Sequence, residues 1–202
     1  MDSILRLDIP SEEFKRFVGT MLTSNSKPES FTSYYFVEPL LSVLGYTQII
    51  PEGGFEDESK RRYVDYLVAI NESSLLIEAK PLGAHLHGHN HMMAFSQIKD
   101  YMKLLDESIG IVTNGLQWSV VAKDPNSKKY CWSVFDLRYI ALDIMKCQDG
   151  EVTTDSFKKV SEFVKKFSRE TILNTIHEMF KQPSGYSEEK AKDILDEKIS
   201  KK

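Results

Sequence analysis

The sequence predicts an α/β protein in which a mixed sheet is covered by helices on both faces. Three observations carry this expectation. Residues 63–70 and 75–79 are short apolar runs rich in β-branched and aromatic side chains, separated by Asn71-Glu72-Ser73-Ser74, which is the pattern of a hairpin. Both runs are nearly continuous rather than alternating, so neither face of that sheet is expected to meet water. Apolar residues at helical spacing precede and follow the hairpin, which supplies a helix for each face.

Taken in order, Pro10-Ser11-Glu12-Glu13 opens a helix with Ser11 as N-cap, and Phe14, Phe17, Val18, Met21 and Leu22 continue its period. The polar stretch 24–30 breaks it. A second helix is expected over 32–44, burying Phe36, Val37, Leu40, Leu41 and Leu44, ending at Gly45, and kinked or started near Pro39. Residues 47–50 read as a short strand and 51–59 as an acidic loop before the hairpin. A helix over 92–105 presents Met93, Phe95, Ile98, Tyr101, Met102 and Leu105. Strands at 110–113 and 118–121 flank an Asn114-Gly115 turn, and 130–135 makes another strand. From Asp155 the tail is helical through Phe157, Val160, Phe163, Val164 and Phe167, then Ile172, Leu173, Ile176 and Met179; a last charged helix follows Pro183-Ser184-Gly185. The expected organisation is a domain over 1–150 and a helical extension over 151–202, packed on the core or on a second copy of the chain.

Composition narrows the function classes. A length of 202 residues suits one α/β core with a helical appendage. The net charge of −4 argues against a uniformly basic nucleic-acid binder, although it says nothing of a local patch. Cys131 and Cys147 are the only cysteines, which excludes a disulfide framework and predicts a reducing cytoplasm. No apolar run approaches the 18 or so residues of a membrane span, and acids stand where a secretory signal needs positive charge. No Gly-x-x-x-x-Gly-Lys loop occurs, so no ATP-driven motor is expected.

The chemistry is expected on the hairpin. Glu78 and Lys80 are two apart in a strand and share a face, with Ala79 on the other. If the turn pairs Ile70 with Leu75, Asp65 falls opposite Lys80 and Leu67 opposite Glu78. Three ionisable groups then converge on an apolar hairpin, where charge is costly unless paired or bound to a metal. Two carboxylates with open positions suit Mg²⁺, with Mn²⁺ as the alternative. Such an ion polarises a phosphodiester, and a neighbouring lysine orients the attacking water or stabilises developing charge. The pattern predicts metal-assisted phosphodiester hydrolysis.

Val64-Asp65-Tyr66 followed by Glu78-Ala79-Lys80 resembles the metal-binding signature of the PD-(D/E)xK nucleases. More narrowly, the chain resembles the N-terminal nuclease domain of type I restriction enzyme R subunits. Glu38-Pro39-Leu40-Leu41 leading to Leu44-Gly45-Tyr46 is similar to that family's first helix, whose acid contributes to the metal site. Gln97-Ile98-Lys99-Asp100-Tyr101 resembles its Gln-x-x-x-Tyr helix, and Thr113-Asn114-Gly115 with Trp118 resembles its next hairpin. The family's proline before the first acid is Val64 here. The resemblance covers about residues 30–125. It implies a restriction-endonuclease-like α-β-β-β-α-β core and DNA as substrate. By resemblance, Asp65, Glu78 and Glu38 are metal ligands, Lys80 and Gln97 belong to the catalytic set, and separate restriction-system subunits are partners.

Plainer readings accompany each residue. Lys80, Asp65 and Glu78 could form a buried ion-pair cluster, and the domain could keep the fold as a cleavage-inactive module that binds nucleic acid or a partner. Glu38 could be a solvated helix residue. Gln97 and Tyr101 share a helix face; Gln97 is expected to line the cleft and Tyr101 to join the core, with substrate contact as its other role. Trp118 is expected to pack, not to stack on a base. His85, His87, His89 and His91 stand in a Gly-flanked run read as a mobile loop at the edge of the cleft, where His85 and His87 could touch substrate. Lys158, Lys159, Lys165 and Lys166 read as a solvated helix face. The apolar tail leaves a homodimer possible.

Overall fold

The computed structural model describes residues 28–57, 60–70, 73–84, 86, 88–124, 129–138, 151–152 and 154–181, together with Leu5–Arg6. The helices expected over 11–22 and after Gly185 lie outside these residues, as do His85 and His87.

Helix α1 begins earlier than its apolar period implies and has three parts: α over Glu29–Thr32, π over Ser33–Val37 and α over Glu38–Val43. Pro39 brings no N–H to the ladder. The helix widens in the turn before it, so that the Glu38 amide reaches back five residues to the Ser33 carbonyl. At its end the Gly45 amide bonds the Ser42 carbonyl and the Tyr46 amide the Leu41 carbonyl, with Gly45 at φ +85°. These two bonds are a Schellman cap, which favours glycine at the left-handed position.

Six strands follow: β1 (Ile49–Asp57), β2 (Lys60–Ile70), β3 (Ser73–Ala79), β4 (Ile109–Thr113), β5 (Gln117–Lys123) and β6 (Tyr130–Asp136). They lie in the sheet in chain order; β3 and β4 are parallel and every other neighbouring pair is antiparallel. The single parallel step is bridged by helix α2 (Gly88–Leu104), as a parallel connection requires. Leu5–Arg6 pairs separately with Glu151–Val152. The fold is therefore mixed α/β, as the sequence predicts.

Four local expectations are corrected. The loop expected over 51–59 is strand as far as Asp57, because backbone pairing with β2 continues from Ile49↔Val68 to Asp57↔Lys60. That pairing overrides the weak strand preference of Pro51, Gly53 and Gly54. The β2–β3 register is two residues tighter than expected, with Ile70 opposite Ser73 and Tyr66 opposite Ile77. The histidine run is partly helical, since α2 opens at Gly88 and includes His89 and His91. Finally, the turn between β4 and β5 is centred one residue later than Asn114-Gly115. The Asn114 amide bonds the Gln117 carbonyl, and Gly115 at φ +87° takes the first central place. Asn114 instead uses Oδ1 to accept the Leu116 and Gln117 amides at 3.1 and 2.7 Å.

Two apolar layers sandwich the sheet. On one face Val37, Leu41 and Leu44 of α1 meet Val68, Leu75, Ile77 and Ile111. Helices α3 (Thr154–Phe167) and α4 (Ile172–Lys181) join this face through Phe163, Phe167, Ile172 and Ile176. Trp118 is fully buried there, its ring edge-on to Phe163 and Phe167 at 5.5 and 5.8 Å and its Nε1–H donating to the Gly115 carbonyl. On the other face Met92, Phe95, Ile98 and Met102, one stripe of α2, cover Leu76, Val112 and Val121. Among the described residues no helix is long and apolar enough to cross a membrane.

Candidate active site

Glu78 and Lys80, two apart at the end of β3, share a face, and Asp65 lies just past the last β2–β3 pair, Tyr66↔Ile77. The tighter register ends at Tyr66↔Ile77 and leaves Asp65 beside Glu78 and Ala79 rather than opposite Lys80. A slip of two residues keeps every side chain on its face. The Asp65 carboxylate accepts the Ala79 amide at 2.7 Å, and Lys80 Nζ donates to Glu78 Oε1 at 2.6 Å. The Lys80 backbone is fixed in turn by its amide bond to the Thr113 carbonyl, 2.7 Å long, across to β4.

Helix α2 adds Gln97. Its Nε2 donates both to Glu78 Oε1 and to the Tyr101 hydroxyl, the latter at 3.0 Å. Tyr101 is half-buried and packs on the α2 side of the core. Gln97 and Tyr101 thus act as a pair one helical turn apart, with Gln97 in the cluster and Tyr101 behind it. Helix α1 adds Glu38, whose Oε1 accepts the Tyr66 hydroxyl at 3.0 Å.

Burial sets the electrostatics. Glu78 is only 4% exposed. Desolvation and then the Asp65 charge push its carboxyl up to about 7, against the pull of Lys80. Asp65 is also raised, mainly by desolvation; the Ala79 amide and Lys80 oppose this and Glu52 adds to it. Tyr66 rises to about 12, chiefly by burial. Glu78 Oε2 is buried without a hydrogen-bond partner. One buried oxygen is therefore left able to accept a ligand, while its twin is held by two donors.

The structure also gathers acids that sequence reasoning missed. Asp65 and Glu38 line a cavity of about 540 Å³ together with Glu29, Glu52, Tyr34 and Tyr66. Glu29 Oε2 lies 4.0 Å from Lys80 Nζ. Glu52 interrupts the β1–β2 pairing between Pro51↔Tyr66 and Gly53↔Val64, next to Asp65, and sits at φ +49°, a conformation uncommon for a residue with its side chain. Neither Glu29 nor Glu52 carries a local signal, since each is brought in by strand pairing or helix docking. His85 and His87 lie outside the described residues. Among the described residues no group of three or more His, Cys, Asp or Glu side chains is arranged to hold a metal ion.

Residues 28–133, from the start of α1 into β6, match the family described as the type I restriction enzyme R protein N terminus (HSDR_N). This chain belongs to that family. Its core is the family's N-terminal domain, and Asp65, Glu78, Lys80 and Gln97 fall inside the matched span. A protein of Methanocaldococcus jannaschii named as a type II restriction enzyme and methyltransferase is 30% identical over 152 residues, 72% of this chain. The alignment spans 12% of the length of that relative. A fragment assigned as the HsdR subunit of a type I restriction enzyme from Vibrio vulnificus is similar in structure with a TM-score of 0.42 and 19% identity, over 67% of this chain and 26% of that one.

Proposed function

We propose that this chain is a metal-dependent nuclease domain that hydrolyses DNA phosphodiester bonds. The observation that carries the reading is Glu78, a buried carboxylate with one oxygen unpartnered and the Asp65 carboxylate beside it. A buried acceptor of this kind calls for a cation or a proton. Two carboxylates fit Mg²⁺, which is commonly held by one or two carboxylates with waters and phosphate oxygens, so no closed cage of protein ligands is needed. Mn²⁺ takes the same hard oxygen donors. Asp65 and Glu78 would hold the ion, and Glu38, which lines the cavity with Asp65, is the third candidate. When bound, the ion supplies charge stabilisation at phosphorus and a more acidic water.

The chain's own groups divide the remaining tasks. Lys80 brings a positive charge to the cluster, where it can orient the nucleophilic water or meet charge growing on the phosphate. Gln97 steadies Glu78 Oε1, which leaves Oε2 for the ion. Tyr66 orients Glu38. The family relationship supports DNA as the substrate and further restriction-system subunits as partners.

The 2.6 Å Lys80–Glu78 ion pair favours a second reading, a cluster closed on itself in a cleavage-inactive binding module. Cleavage of supercoiled and single-stranded DNA in Mg²⁺ or Mn²⁺ separates the two. Metal-dependent cutting that Asp65→Ala and Lys80→Ala both abolish establishes the nuclease. A folded wild type that neither cuts nor takes up metal by calorimetry leaves the binding module.

A further inference from the structure

We propose that the cavity beside Asp65 is a subsite for one unpaired DNA base, with Tyr34 as its stacking wall. This deepens the nuclease reading and rests on it for the identity of the ligand as DNA. Consecutive residues of the π-turn, Tyr34 and Tyr35, are 65% and 52% exposed. Their rings meet edge-on at 5.1 Å. The pair is anchored from behind: Tyr35 packs on Phe31 at 4.7 Å, and Phe31 on Phe36 at 6.4 Å. Phe36 in turn lies against Gly115, where an added Cβ would come within 2.8 Å of it. Two large exposed aromatics fixed in this way form a platform.

Tyr34 is also in the cavity wall, together with Asp65 and Tyr66. The volume of about 540 Å³ lies in the range that takes a nucleoside-sized group. The described residues lining it include Glu29, Glu38, Glu52 and Asp65 and no Lys or Arg. With Asp65 and Glu38 given to the ion, Glu29 and Glu52 keep the rest of this wall acidic, which repels a further phosphate and does not suit a bare anion. It suits a flat neutral ring that presents N–H donors, as the exocyclic amino groups of adenine, cytosine and guanine do. In a duplex the ring faces are stacked and the pairing edge is held by the partner strand, so a base must be unpaired and unstacked to enter a cavity of this size. The scissile phosphate then lies at Asp65, Glu78 and Lys80 and the adjoining base on Tyr34. The outcome is a preference for single-stranded DNA over blunt duplex.

The test uses the full chain with Ca²⁺ in place of Mg²⁺, short fluorescent oligonucleotides and anisotropy, beside cleavage in Mg²⁺ or Mn²⁺. Wild type should bind a single strand at least about tenfold tighter than the blunt duplex of the same sequence. Tyr34→Ala should lose about tenfold on the single strand and nothing on the duplex, in line with one base–aromatic stack. Tyr34→Phe should restore the wild-type ratio, since it keeps the ring. If wild type cuts DNA and Tyr34→Ala leaves the single-strand to duplex ratio unchanged, the subsite is overturned and the nuclease stands. If wild type cuts nothing yet shows the Tyr34-dependent preference, the subsite stands and the nuclease falls. Binding to neither form overturns the subsite. Thermal melting by circular dichroism checks that the variants are folded.

Discussion

The carboxylate of Asp65 accepts the amide of Ala79 at 2.7 Å. One hydrogen bond thereby ties the first acid of the cluster to the residue lying between the second acid and the lysine. The side chain does two things at once: it closes the end of the β2–β3 pairing and holds a charge at the cavity. Charge and hydrogen bonding can be separated by substitution. Asp65→Asn keeps an acceptor for Ala79 and discards the charge, whereas Asp65→Ala removes both. Urea denaturation should find the alanine variant less stable than the asparagine variant by about 1 kcal/mol, the cost of orphaning a part-buried amide. Both variants should lose metal-dependent cleavage.

Glu78 has a cost to the fold that its proposed role would explain. Its carboxyl is raised to about 7 in the folded protein, first by burial and then by Asp65. Its unfolded value is near the ordinary 4.5. The native state therefore holds the extra proton between these values, and stability contributed by this group falls as pH rises through that window. Glu78→Gln keeps an oxygen for Lys80 and Gln97 and cannot ionise. At pH 8 it should be more stable than wild type by on the order of 2 kcal/mol. The gap should close as pH falls toward 5. Chemical denaturation at a series of pH values checks this, and a gap that stays flat with pH would contradict it.

The turn after β4 clamps the segment that follows Lys80. Asn114 Nδ2 donates to the Ala84 carbonyl at 2.7 Å, and Gln117 Oε1 accepts the Leu86 amide at 2.9 Å and Asn114 Nδ2 at 3.2 Å. Asn114→Ala cuts the first link, loosens the second and removes the acceptor of two turn amides. Expected outcomes are a loss of about 2 kcal/mol and faster hydrogen exchange at Leu86. Exchange within the α2 stripe should change far less, because Met92, Phe95 and Ile98 keep their packing.

The tail is part of the core on the α1 side. Phe163 is 1% exposed and stacks on Phe167 at 4.7 Å while meeting Trp118. Phe163→Ala should cost about 3–5 kcal/mol. Read in a Trp132→Phe background, Trp118 emission should shift to the red as water reaches the vacated space.

Much of this arrangement can be traced to short-range signals. The continuous apolar strands announced a sheet covered on both faces, and the α1 and α2 stripes supplied the covers. Face-sharing of Glu78 and Lys80 followed from the two-residue period of a strand. Other features had no such signal. Residues 51–57 look like a loop because Pro51, Glu52, Gly53 and Gly54 are poor strand formers, and only the pairing offered by β2 makes them strand. Glu29 and Glu52 stand 36 and 13 residues from Asp65 in the chain, and nothing local points either one at it.

The sequence by itself determined the class of the fold, the partition of side chains between faces, and the trio of ionisable groups on the hairpin. These are matters of parity and period, which survive a register error of two residues. The tertiary structure decided which carboxylate faces which and which distant acids and tyrosines join them. It also decided that the tail covers Trp118. Those outcomes depend on chain closure and on burial: the turn length fixes the register, and only a packed neighbour can desolvate Glu78 and leave one of its oxygens without a partner.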